Sequence, residues 1–164
     1  IAATSTNHLP FDGSSWNSTV GLDQEQKLAN LNASVYLGDD QLVETFGLRI
    51  VAGRDLSADE FVDWAALDGP KPAPIASMLV TQAVARRLFP DGDALGKSVY
   101  AWGDNPIRIV GIIDTLIRPN DNGGPAEADF SIVLPVNVPM GRFALRTTPE
   151  RRAEVQAAAV ESLK

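Results

Sequence analysis

Between Asn30 and Gly38 apolar residues recur at every second position: Leu31, Ala33, Val35 and Leu37 fall on one side, with Asn32, Ser34 and Tyr36 between them. A period of two is the signature of a strand with one buried face. Such a strand satisfies neither its backbone groups nor its apolar face alone, so the chain must supply partner strands around it. Val20 to Gln26 offers a hairpin partner upstream, although Asp23 to Asn30 also fits a helical turn. Ser98 to Trp102 and Ile107 to Ile113 flank Gly103-Asp104-Asn105-Pro106, a hairpin signal. In the second of these segments Ile107, Ile109 and Ile113 are expected to point one way, and Gly111 marks a bulge or a close backbone approach. Ile1 to Ser5, Leu48 to Val51, Phe130 to Val136 and Phe143 to Thr147 read as further strands.

Helical signals lie between the strands. Asp39 is an N-cap candidate for a short helix through Leu42, Val43 and Phe46, which Gly47 ends in a left-handed conformation. Ser57-Ala58-Asp59-Glu60 has the form of a capping box, predicting a helix with Phe61, Trp64 and Ala65 on one face until Gly69-Pro70 stops it. Ser77 to Val80 is a buried strand running into a helix at Gln82 to Phe89, closed by Pro90. Thr148 caps a last helix with Pro149 at its first position and a predicted buried stripe of Val155, Ala159 and Leu163. Asn7 to Ser18 and Arg118 to Glu127 read as loops, and Gly69 to Pro74 as a stiff connector.

Composition narrows what such a chain can do. It has no cysteine and one histidine, so disulfides, a thiolate nucleophile and the usual zinc ligand sets are out of reach. The net charge of −7, with basic residues scattered singly or in pairs, argues against nucleic acid. No apolar run approaches the ~18 to 20 residues that cross a bilayer. The chain opens at Ile1 and its last helical pattern runs to Lys164, so a piece of a longer polypeptide is expected.

Four patterns bear on possible chemistry. Gly92 to Ser98 ends in Gly-Lys-Ser as a P-loop does, but Asp91 stands where the first glycine belongs, and the segment precedes a strand instead of a helix. Gly13-Ser14-Ser15-Trp16-Asn17 begins like a nucleophile elbow, yet Asn17 replaces its closing glycine and the only base, His8, lies upstream. The carboxylate pairs Asp39 and Asp40, Asp59 and Glu60, and Asp91 and Asp93 are expected to cap helices and turns, since no calcium-loop spacing is present. Trp16, Trp64 and Trp102 suit packing more than stacking on a ligand. No catalytic, cofactor-binding or metal-binding residue is assigned.

An ordered set of segments carries a resemblance. Val35-Tyr36 stands before a short helix ending Phe46-Gly47, and Gly53-Arg54-Asp55-Leu56 follows. Then come Leu79-Val80-Thr81-Gln82-Ala83-Val84-Ala85-Arg86-Arg87-Leu88-Phe89, Leu95-Gly96-Lys97, Val110-Gly111-Ile112-Ile113 and Pro135. Together they resemble the periplasmic core domain of MacB/FtsX-type ABC transporter permeases. The resemblance implies a mixed α+β fold, with a Porter-like α/β subdomain from residues 1–57 and 140–164 and an inserted β-rich Sabre-like subdomain at 58–139. It also implies a non-catalytic domain between the first two transmembrane helices of a bacterial inner-membrane permease, projecting into the periplasm. Its implied partners are a cytoplasmic ABC ATPase, a second permease copy or homologous subunit, and a periplasmic adaptor or cargo. The connector at Gly69 to Pro74 and the short stretch between Val136 and Phe143 depart from the drug-efflux members. An independent extracytoplasmic ligand-binding or sensor domain is the competing expectation.

Overall fold

The computed structural model describes residues 1–164. Its centre is one mixed sheet built from β2 (Asn17–Gly21), β3 (Asn30–Gly38), β4 (Ile50–Gly53), β5 (Val62–Asp63), β6 (Ser77–Thr81), β7 (Ser98–Val99), β8 (Ile107–Ile113) and β9 (Ser131–Asn137). The spatial order is β2-β3-β9-β6-β8-β4, with β5 on β9 and β7 on β8. Just beyond β7, Tyr100 exchanges both backbone hydrogen bonds with Gly21 of β2, at 2.9 and 3.0 Å. The sheet thereby curls until its two sides meet, a half-closed barrel that leaves fewer free strand edges.

β3 forms as a strand, but from Ala33 on it is buried on both faces instead of one, because the outer cluster covers Tyr36. Leu31, Ala33, Val35 and Leu37 join Ile132, Leu134 and Val136 of β9, Met78 and Val80 of β6, and Ile107 and Ile109 of β8 in the enclosed core. The intervening Tyr36, Val133 and Leu79 form a second, outer cluster. Ile113 belongs to that outer cluster, contrary to the sequence expectation. The β6–β8 register slips between Met78 and Leu79, so Ile109 faces Met78 while Gly111 faces Leu79. One extra residue flips every later side chain to the other face, and Ile112 takes the inner position instead.

The helix α2 (Gln82–Leu88) follows β6 directly, because Thr81 Oγ1 accepts a hydrogen bond from Val84 N at 3.4 Å. Its Val84, Ala85 and Leu88 plug the core at the end where β6 and β8 finish. The short helix α1 (Leu42–Phe46) ends at Gly47 with φ 66°, as its sequence predicts, and buries Leu42 in the outer cluster. The N-cap position is Gln41, but Asp39 Oδ1 accepts from the Gln41 amide at 3.1 Å, so Asp39 serves the start of the helix while also holding Thr4 and Ser5. The predicted helix after Ser57 is absent. Ala58–Glu60 is a single 3-10 turn, Val62–Asp63 pairs with β9, and a second 3-10 turn covers Trp64–Leu67.

The two chain ends meet in a small unit of their own. β1 (Ala2–Ser5) pairs only with β10 (Phe143–Arg146), and α3 (Arg152–Ser162) follows. Val155 is the one buried residue of α3, so Ala159 and Leu163 do not form the expected buried stripe. A boundary at Ser57 would cut the ladders β3–β9 and β4–β8, which join residues below 57 to residues above 58 within one sheet. β1 and β10 lie outside that sheet, in a two-stranded sheet of their own.

Candidate functional site

The near-P-loop is a turn. Gly96, at φ 79°, and Lys97 sit between α2 and β7, where Gly96 N donates to Ile109 O at 2.8 Å and Ile109 N to Lys97 O at 2.8 Å. Lys97 is exposed, and no helix N-terminus follows it to meet a phosphate.

The near-elbow is also not an activated nucleophile. Ser15 is exposed and accepts a hydrogen bond only from the neighbouring Asn17 amide. His8 instead meets Ser14, with Nδ1 2.6 Å from Oγ. The Ser14 hydroxyl donates to Asp12, so the histidine is the donor toward Ser14 and takes no proton from it.

Each carboxylate pair has a structural occupation. Asp39 accepts from Thr4 Oγ1 at 2.7 Å and Ser5 N at 3.2 Å. Glu60 takes both Arg54 amino groups at 2.8 Å, Ser77 Oγ at 2.6 Å and Ser57 N at 2.7 Å. Those bonds, the Arg54 pair foremost, hold its carboxyl down at about 2. Asp93 caps the Leu95 amide. No three His, Cys, Asp or Glu side chains gather as a metal would need.

The three tryptophans do come together. Trp16 lies edge-on to Trp64 at 5.4 Å and stacks near Trp102 at 6.3 Å, and all three pack on the enclosed core. Trp64 follows β5 at the finishing end of β9, and Trp102 precedes β8; since β9 and β8 run oppositely, both mark one end of the barrel. The cluster is the plug opposite α2.

What the sequence did not reveal is the junction between the terminal unit and the barrel. Polar contacts hold it. Asp39 holds Thr4 and Ser5, Ser5 Oγ donates to Val138 O at 2.9 Å, and Arg146 Nε donates to Thr45 O at 2.9 Å, over Gly47 at the end of α1. The Asn7 side chain continues the edge of β3, donating to Val35 O and accepting from Leu37 N at 2.9 and 2.8 Å. Arg142 donates to Asn7 O at 2.6 Å and lies 3.6 Å from Asp12. No residue before Trp16 or after Val138 belongs to either apolar cluster. Nearby, Arg118 is 2% exposed and is held by Ser34, Asn32 and Glu127 at 3.2, 3.1 and 3.3 Å, so the loop it opens is anchored at its root.

The family model of the MacB-like periplasmic core domain matches residues 6–163. The chain belongs to this family. Members are extracytoplasmic domains of ABC transporter permeases, not a known class of catalytic domain. Solved structures agree on the fold. The extracellular domain of the noncanonic ABC-type transporter YknZ from Gram-positive bacteria aligns at TM-score 0.59 and 13% identity, covering 93% of this chain and 68% of that one. The periplasmic region of MacB from Actinobacillus actinomycetemcomitans gives 0.59 and 15%, covering 98% and 64%. A domain of a putative permease protein from Porphyromonas gingivalis gives 0.52 and 20%, covering 100% and 70%. This MacB-like domain thus spans roughly two thirds of those longer domains. No curated protein matches the sequence. No helix is long and apolar enough to cross a membrane.

Proposed function

We propose that this MacB-like domain is a non-catalytic moving part, passing ATP-driven movement of its permease to exported cargo or to a periplasmic partner. The supporting observation is the junction: β1 and β10 are joined to the barrel by hydrogen bonds, and no residue of β1, β10 or α3 belongs to either apolar cluster. Modest polar interfaces between units favour relative motion. Residues that could do chemistry are committed to turns, caps and the junction. The energy source is a cytoplasmic ABC ATPase reached through the rest of the permease, which would work as a pair of copies or with a homologous subunit.

The test uses the full-length permease with its ATPase. Spin labels on α2 and α3 are expected to change their separation between nucleotide-free and ATP-bound states. Distances that stay constant, both between the labels and from each label to the membrane helices, would overturn the reading. They would favour a static ligand-binding domain, for which the cavity of about 680 Å³ lined by Phe11, Pro119, Asn120 and Pro125 is the observation in support.

A further inference from the structure

Residues 7–15 form a strap from β1 to β2 across the junction, and His8 is its buried anchor, 1% exposed. The ring stands edge-on to Tyr36 of β3, with centroids 5.4 Å apart. Because the Ser14 hydroxyl gives its hydrogen to Asp12, the hydrogen between Ser14 and His8 belongs to His8 Nδ1. The other ring nitrogen, Nε2, is buried with no partner. A neutral ring leaves only a lone pair there, at small cost. A protonated ring would bury a charge, with its second N–H left to the Trp16 and Val35 carbonyls, which already accept from Val35 N and Asn7 Nδ2.

The charged and titratable groups facing the ring are few. Asp12, in the strap, favours the proton, and Arg142, ahead of β10, opposes it. Tyr36, from β3, is kept neutral because burial pushes its hydroxyl up. Burial is the largest influence on His8 and holds it below 6.5, with Asp12 and the Trp16 and Val35 carbonyls offsetting it only in part.

The strap's other fastenings do not titrate in this range. Gly13 N donates to Pro119 O at 2.9 Å, and Asn120 Nδ2 to Ser14 O at 2.6 Å. Phe11 is held at φ 64°, a strained conformation for a bulky residue that persists only while its surroundings impose it. We propose that His8 is a proton-operated catch, whose protonation in mildly acid surroundings releases the strap and loosens the terminal unit from the barrel. The inference concerns this chain alone and stands apart from the transport reading.

The sign follows from the ring's preference for neutrality. The closed strap has its full stability above about 6.5 and loses it as pH falls toward the lowered His8 midpoint, below which the loss levels off. His8 is the only histidine, so its imidazole NMR signals identify themselves. We expect its midpoint below 6.5. Amide exchange in the strap, corrected for intrinsic rates, should lose protection between about pH 7.5 and about pH 5, by about tenfold per pH unit separating the midpoint from 6.5. Protection in β3 and β9 should hold. His8→Gln, which keeps a donor for Ser14 but does not titrate, should show a flat profile. A midpoint at or above 6.5, strap protection that does not change with pH, or a His8→Gln variant that keeps the wild-type pH dependence would each overturn the proposal. If that variant does not fold, the two wild-type measurements decide.

Discussion

Two residues show how single positions hold the barrel margin together. Gly53 is paired with Gly111 where β4 meets β8, and it adopts φ 75°. A Cβ there would stand 2.2 Å from Val110 O and 2.5 Å from Leu95 Cδ1. Gly53→Val therefore combines left-handed strain with overlap on backbone, and is expected to cost about 1 to 3 kcal/mol or more. A urea midpoint equal to wild type would refute the close approach. Glu60 ties the same margin to the turn after Leu56 by its bonds to Arg54 and Ser77. Its carboxyl is held at about 2 against an ordinary 4.5, so its stabilisation is complete above 4.5 and disappears as pH falls from there through about 2. Glu60→Gln should cost about 1 to 2 kcal/mol at neutral pH, the figure discounted because Arg54 is half exposed. Denaturation over that pH window should find wild type and variant converging; parallel curves would show that the Arg54 pair contributes nothing net.

At the scale of elements, the sequence is legible where a pattern is local and illegible where a partner decides. The β3 strand, the Gly47 stop and the β6-to-α2 passage are all written in adjacent residues and form, except that β3 is buried on both faces from Ala33 on and not on one. The bulge at Gly111 was visible too, but its consequence for Ile113 was not, because parity depends on the register with β6. The Ser57 box fails as a helix start for a similar reason. Glu60 does return to the Ser57 amide, yet it also binds Arg54 and Ser77, and Val62 is taken as a strand by β9. With the chain extended at Phe61, that residue reaches the outer cluster and Trp64 the enclosed core, two faces that one short helix could not serve. The candidate site was the least legible. Asn7, Arg142 and Arg146 carry no local pattern, and Asp39 shows in the sequence only its local bond to the Gln41 amide, not those to Thr4 and Ser5 more than thirty residues away.

For the whole molecule, the family and the mixed fold followed from an ordered set of short segments. Parallel pairing sets residues 34–38 of β3 beside 131–135 of β9, and periodicity says nothing of such distant pairings. The division drawn by the topology has a measurable consequence. A two-stranded sheet is marginal by itself, α3 buries one residue, and Ile1, Phe143, Leu145, Val160 and Leu163 remain 42% to 70% exposed. The barrel encloses an apolar cluster of 21 residues plugged at both ends. Stability should therefore be uneven, with the terminal unit opening without the barrel. Native-state hydrogen exchange in low urea is expected to show amides of β1, β10 and α3 exchanging through a partial opening, at lower free energy and smaller urea dependence than those of β3, β6 and β9. The gap should be on the order of several kcal/mol, since ordinary domains total about 5 to 15 kcal/mol and the barrel core carries most of it here. Equal free energies and equal urea dependence across both parts would mean that the polar junction makes one cooperative body, and the division into two units would have to be abandoned.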